Sequence, residues 1–263
     1  MGRVWIVTGG HPFEAEPLLD AVGVAASGAG AVLEHVEQPE ALDRIRPGAE
    51  VDAIVFYDMP GLRFTRDPDD PVEFVAPPPG YLDGLRTMLA DGIGMVFMHH
   101  AIASWPTSRA FAELIGGRFH YQPGTLRGAD YPDSGYLFDV THTVEVLDPD
   151  HDICADLPAS FELTDELYCF PVNEFDVRPL MRTTHSTDSG HFFSAEAALL
   201  GWRNERPPDD DWSHRPGSDL VAWTREPSPG ARLAYLQFGD GPVTYANPTF
   251  RGILANAIGW AGS

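Results

Sequence analysis

Ten residues limit the fold of this chain more than any others: Gly92-Ile93-Gly94-Met95-Val96-Phe97-Met98-His99-His100-Ala101. Met95 to Met98 has the unbroken apolar character of a strand buried on both faces, as in a parallel sheet. The run stops at two histidines, at the C-terminal end of the strand, where open α/β sheets place their ligands. Pro106 suits the first turn of a helix over residues 107–114, which Gly116-Gly117 terminates. The stretch predicts strand, histidine pair, loop, helix. A plainer account makes one histidine a hydrogen-bonded near-core residue and the other a solvent residue.

Size permits a single α/β domain over residues 1–263 with a substantial core. Acidic side chains number 39 against 17 basic ones, a formal charge of -22 with histidine neutral. Such a surface repels phosphate, so neither nucleic acid nor an anionic membrane is an expected partner. Cys154 and Cys169 form no CxxC pair and no disulfide framework. The N-terminus enters a strand at once without the pattern of a signal peptide, and no run approaches a membrane span. Those features together suggest a cytoplasmic protein.

Along the chain, strands are expected at 4–7, 31–36 and 52–57, with helices at 13–26 and 39–46 between them. Three strand–helix units at this spacing predict a parallel sheet covered on both faces. Residues 58–79 are rich in proline and aspartate and read as a long loop, either mobile surface or an active-site wall. A helix at 82–90 leads into the central strand. Later come an extended segment at 118–123, a long strand at 136–146 with one exposed face, and residues 161–168 as an edge strand or a turn-rich excursion. A strand at 179–184 follows. Residues 203–219 are polar and suggest an insertion or lid. Residues 220–224 and 232–238 form a closing antiparallel pair, and the helix at 249–260 carries an apolar stripe of Phe250, Ile253, Leu254, Ala257 and Ile258.

Chemistry has few obvious carriers. Gly9-Gly10 belongs to no nucleotide fingerprint and fits a tight turn. His11 beside it ends strand 1, and in a doubly wound sheet that end and the end of strand 4 share a crevice with His99. The ten histidines match no local zinc signature, so any metal site is assembled by folding. A carboxylate in Asp165-Glu166-Leu167-Tyr168 would serve as acid/base or complete a His₂Glu set, and an ordinary surface turn explains it equally well. Cys169 and Ser104 are poor nucleophiles. The G-x-S-x-G or G-x-C-x-G elbow of a hydrolase or amidotransferase is absent, its place taken by Phe97-Met98-His99-His100-Ala101.

That substitution, the strand closing on His11, Trp105-Pro106 with Phe111 and Leu114, Gly116-Gly117 with Phe119 and His120, Asp165 to Tyr168, and a last helix finishing in Ile258-Gly259-Trp260-Ala261 occur in an order that resembles the ThuA-like family. The resemblance implies a flavodoxin-like, class I glutamine amidotransferase-like three-layer sandwich with a mostly parallel central sheet and long loop insertions. It implies an enzyme of carbohydrate metabolism acting on a small sugar-like or oxidised carbohydrate by His/Glu acid–base or metal-assisted chemistry, as hydrolase, lyase or isomerase. His99 matches the histidine that replaces the family's lost cysteine, and Glu166 its acidic position. A Gly-His step usual in the family is replaced here, at Phe238-Gly239-Asp240-Gly241, by Asp240.

His99, Glu166, His11 and Asp240 are thus the candidate catalytic residues. His100, Trp105, His120, Tyr168 and Tyr57 are candidates for substrate binding, and His99, His120 and Glu166 for a divalent metal such as zinc. The contrasting expectation is a non-catalytic member that binds a small ligand or a protein. Convergence of His99, Glu166 and a second imidazole in one pocket favours catalysis, and scattered histidines would sink it. The apolar and aromatic side chains of the long excursions leave room for a homodimer.

Overall fold

The computed structural model describes residues 2–67, 71–188, 192–201 and 217–263. In chain order they form β1 (Gly2–Gly9), α1 (Ala15–Gly28), β2 (Ala31–Glu37), α2 (Glu40–Arg44), β3 (Ala53–Asp58), β4 (Leu62–Phe64), β5 (Val72–Phe74), α3 (Tyr81–Ala90), β6 (Gly94–Met98) and α4 (Arg109–Ile115). Then come β7 (Gly124–Leu126), β8 (Ala129–Tyr131), β9 (Gly135–Val146), β10 (Ser160–Cys169), β11 (Arg178–Thr183), β12 (Phe193–Ser194) and α5 (Ala195–Gly201). β13 (Leu220–Arg225), β14 (Leu233–Leu236), α6 (Pro242–Ala246) and α7 (Pro248–Ala261) complete it.

One sheet organises the molecule, in the order β10-β9-β11-β13-β14-β6-β3-β1-β2, with β12 beside β9. Pairing is parallel from β2 through β14 and antiparallel beyond it. The period-two alternation of each strand sorts its apolar residues onto two faces. Val4, Ile6, Val96 and Met98 meet Leu18 and Val22 of α1 and Ile253 and Leu254 of α7. Trp5, Val7, Met95 and Phe97 meet Leu85 and Met88 of α3 and Phe111 and Leu114 of α4. The α/β three-layer expectation holds, and the central strand is β6, buried along its whole length.

Several local expectations are corrected. Residues 58–79 are not structureless, because Leu62 and Phe64 pair with Phe74 and Val72 in the β4–β5 hairpin, and Arg63 bonds Glu73 across it. Proline flanks that pairing without entering it. Helix α4 begins at Arg109 and not at the first residue after Pro106, since the Ser108 hydroxyl caps it by accepting from Phe111 N at 3.2 Å. A 3-10 turn, His99–Ala103, intervenes after β6. Residues 118–123 form no strand, and the β7–β8 hairpin that follows turns on Arg127 and Gly128, both at positive φ. Residues 161–168 are the edge strand β10. The lid expected at 203–219 lies outside the described residues except for 217–219.

Candidate functional site

Parallel strands bring their C-terminal ends to one side of the sheet. His11 follows β1, His99 follows β6, and Asp240 follows β14 by four residues. Leu236 stands opposite Met98 in the parallel register, so Gln237 comes next to His99 and accepts from its Nδ1 at 2.7 Å. His99 turns sharply out of the strand at φ 52, a left-handed conformation that side chains other than glycine rarely adopt. The Tyr235 hydroxyl donates to the His99 carbonyl at 3.0 Å and helps hold that strained residue.

The second half of the site arrives from the opposite end of the sheet. In the order β10-β9-β11-β13-β14, strand β10 lies four places from β14, roughly 19 Å away if the sheet were flat. Yet the Asp165 carboxylate accepts from Gly239 N at 2.6 Å and Asp240 N at 3.0 Å. The antiparallel half is therefore curled back over the strand ends. A bulge contributes at that point, where Phe138 and Asp139 of β9 oppose the single residue Glu166, with Asp139 at φ 52.

Glu166 and Tyr168, two apart on β10, share a face and both reach the His99 ring. His99 Nε2 lies 3.1 Å from Glu166 Oε2, 3.3 Å from Asp240 Oδ1 and 2.9 Å from the Tyr168 hydroxyl. Burial by itself would strip His99 of its proton, but the hydrogen bonds to Asp240 and Glu166 prevail and hold its pKa well above the ordinary 6.5. Asp240, bonded to His99, is correspondingly held below the usual carboxylate range. His11 and His100 shift the other way, lowered by burial and by the charge of His99, with their rings 4.5 Å apart. The site thus favours the proton on His99 and disfavours it on His11 and His100.

These groups form the floor of a pocket of about 420 Å³, within the usual range for small-molecule sites of roughly 300–1,000 Å³. His11, His100, Glu166, Tyr168 and Asp240 line it below. Leu62 and Phe64 of the hairpin, Phe119, Tyr136, Phe138 and Leu199 make apolar walls. Asp240 is 40% exposed and opens onto the cavity, whereas His99 is fully buried behind it. The stretch at 58–79 thus supplies a wall.

Three sequence candidates lie elsewhere. Trp105 is buried against Tyr81, its ring centroid 5.4 Å away, and takes no part in the cavity wall. Tyr57 sits behind His100, where its hydroxyl meets that of Tyr245 at 2.7 Å and the Gly239 carbonyl at 2.8 Å, so it braces the loop that carries Asp240. His120 lines a separate cavity of about 200 Å³ with Gln122 and Gly124. The metal set expected to contain His120 is corrected accordingly. Among the described residues the ligand atoms that converge are those of His99, Glu166 and Asp240, all within 4.8 Å of one another.

Sequence reasoning passed over Asp165. The resemblance singles out Glu166 and gives its neighbour no role; adjacent residues on a strand face opposite ways, and the loop after β14 reaches around to the second. The single signal for it was an acidic residue at a core-facing position of an otherwise apolar alternation, between Leu163 and Leu167.

A family model described as trehalose utilisation, ThuA, matches residues 31–261. No curated protein matches the chain by sequence. Among solved structures, a ThuA-like protein from Parabacteroides merdae superposes with a TM-score of 0.67 at 12% identity, covering 100% of this chain and 90% of that one. One from Bacteroides uniformis gives 0.61 at 18% identity, with 99% and 91% covered. Agd3, a carbohydrate deacetylase, gives 0.55 at 11% identity, with 99% of this chain and 32% of that one covered.

Proposed function

The chain belongs to the ThuA family, and on that premise we propose that it is an enzyme acting on a small sugar-like or oxidised carbohydrate, with the His99–Glu166–Asp240 cluster as its acid–base or metal-assisted centre. One observation carries the reading: His99 Nε2 meets two carboxylates and a phenol at the floor of a small-molecule pocket. Carbohydrate deacetylation belongs to a protein that shares only the fold, and what is carried over is the substrate class alone.

Hydrolysis, elimination and isomerisation share one need, a proton delivered at one atom and removed at another. His99, charged and bonded at Nδ1 to Gln237 O, has a fixed ring orientation and offers its Nε2 proton. Asp240, the more exposed carboxylate, is the base nearest a ligand in the cavity, and Glu166 holds the ring from the other side. The chain contains no lysine, so no lysine side chain is available to form an imine with a keto sugar.

The same residues fit a divalent ion such as zinc. The Nδ1–H bond leaves His99 Nε2 as the ligand atom, and the ligand atoms of His99, Glu166 and Asp240 all lie within 4.8 Å of one another. Bound there, the metal would supply Lewis-acid polarisation of a substrate oxygen. Elemental analysis of protein purified without an affinity tag, with His99→Ala in parallel, tests this half of the reading. Near-stoichiometric metal lost in the variant assigns the cluster as ligands, and no uptake even from excess zinc leaves acid–base chemistry. A screen of native and oxidised glycosides, with and without zinc, tests the other half. Absence of both turnover and binding across the set would overturn the carbohydrate assignment.

A further inference from the structure

We propose that the pocket is built for hydrogen-bond donors without negative charge, taking uncharged or amino sugars and refusing sugar phosphates and uronates. The inference rests on the carbohydrate reading above and narrows its substrate class. It comes from where the ring protons are. His11 Nδ1 lies 2.7 Å from Pro12 O, His99 Nδ1 2.7 Å from Gln237 O, and His100 Nε2 3.1 Å from Tyr57 O. A carbonyl oxygen can only accept, so each of those nitrogens carries a hydrogen. The second nitrogen of each of the His11 and His100 rings is not engaged by these carbonyls. For His100 that atom, Nδ1, is buried and has no hydrogen-bond partner among the described residues.

Acceptors dominate the rest of the floor, with the carboxylates of Glu166 and Asp240 beside these rings. What donors the wall offers are the uncharged phenols of Tyr121, Tyr136 and Tyr168. The charge favoured on His99 is already met by Glu166 and Asp240, and the described lining residues add no other positive group. All 17 basic residues of the chain are arginines, and none of the described residues lining the pocket is one of them. Arg63, on the hairpin wall, alternates with the pocket-lining Leu62 and Phe64, faces away and is paired with Glu73. With a divalent ion bound, Glu166 and Asp240 would offset its two charges and leave no net positive charge at the cluster. A phosphate or carboxylate would be desolvated against two carboxylates, whereas sugar hydroxyls or an ammonium supply the hydrogens the floor lacks.

Calorimetry together with NMR of the histidine ring resonances tests this on chelator-treated and on zinc-saturated protein. The probes are methyl glucoside, glucosamine, glucuronate and glucose 6-phosphate. We expect the first two to perturb the His11 and His100 rings and the anions to bind about 10- to 100-fold more weakly, a like-charge penalty of about 1.4–2.7 kcal/mol. An anion binding there as tightly as its neutral counterpart, in either protein, overturns the proposal while leaving the carbohydrate reading intact. Tris and inorganic phosphate, neither a sugar, read the charge preference independently. If no sugar binds but Tris perturbs the rings and phosphate does not, the carbohydrate reading fails and the charge preference stands. If Tris has no effect either, both fail. In Asp240→Asn the gap between neutral and anionic probes should narrow, and an unchanged gap would refute the electrostatic cause.

Discussion

The two halves of the sheet reach the same pocket by different physics. On the parallel side, β1, β6 and β14 bring His11, His99 and Asp240 to one edge because strand direction and register leave them nowhere else to go. On the antiparallel side, Glu166 and Tyr168 start from the outermost strand and arrive only because that half curls back and is pinned by Asp165 to the amides of Gly239 and Asp240. Topology by itself assembles half of the site. The other half depends on a single buried carboxylate and a bulge.

Matched carboxamide substitutions test whether the halves contribute equally. Glu166→Gln, from the antiparallel half, should lower turnover of any glycoside the protein converts by about 10²–10⁴-fold, the usual worth of a positioned acid–base group. Asp240→Asn, from the parallel half, should fall in the same range. If Asp240→Asn retains the parent rate while Glu166→Gln does not, the parallel half contributes only His99. Next in size is Asp165→Ala, which leaves the N–H groups of Gly239 and Asp240 without their acceptor. It should cost about 2–6 kcal/mol in urea denaturation, at about 1–3 kcal/mol per orphaned donor. Asp240 and Glu166 should then lose their hold on His99, seen as a fall of the His99 ring pKa toward its ordinary value by NMR. Unchanged stability and an unchanged His99 titration would show that the curl does not need its pin.

The same division governs what could be read from the chain in advance. Residues 95–98 and their histidines were legible because a strand buried on both faces must be apolar throughout, and its end is where the pattern breaks. The partner of His99 from β14 was partly legible: Asp240 was noticed as a replacement, but its contact with His99 depends on the register of Leu236 against Met98. Asp165 was not legible as a fastener, because the main-chain amides it pins lie 74 and 75 residues away, and backbone donors leave no mark in a sequence. His120 and Trp105 were misplaced for a related reason. Both lie near His99 in sequence, yet Trp105 turns at φ 50 into the core beside Tyr81, and the chain carries His120 to the far side of Tyr121.

Backbone substitutions sharpen the contrast at a smaller scale. A Cβ at Gly94, the first residue of β6, would stand 2.2 Å from the Ala261 carbonyl of α7. Strand and helix are both main chain there, so neither yields easily. Gly94→Ala should destabilise by about 1–3 kcal/mol, the usual range for overpacking a core. Asp139, in the bulge of the antiparallel half, is exposed and strained at φ 52. Asp139→Gly should be neutral or stabilising by up to about 1 kcal/mol, since glycine adopts that conformation freely. Thermal denaturation distinguishes the two. Equal destabilisation would mean that the bulge is as tightly constrained as the central strand.

The smallest effect is a pair of opposed pH slopes, one from each half. Asp58, at the end of β3, is buried, which raises its pKa from 3.8 to about 7 despite the Gln38 amide donating to it at 2.6 Å. Unfolded, it ionises near 3.8; folded, it keeps its proton to about 7, so its contribution is full below pH 4 and is lost as pH rises toward 7. His142, on β9, is buried beside Thr183 and near His185, and its pKa falls from 6.5 to about 4. The unfolded ring takes up a proton below 6.5 that the folded ring refuses until about 4, so this contribution is full above 6.5 and is lost as pH falls through that window. Urea midpoints between pH 4 and 7 should therefore change little in the parent, where the two trends oppose each other. Asp58→Asn should unmask a stability that rises with pH, and His142→Asn one that falls with pH. Two variants with the same slope would mean that only one of these groups is held in its uncharged form by the fold, and the half containing the other is looser than its burial implies.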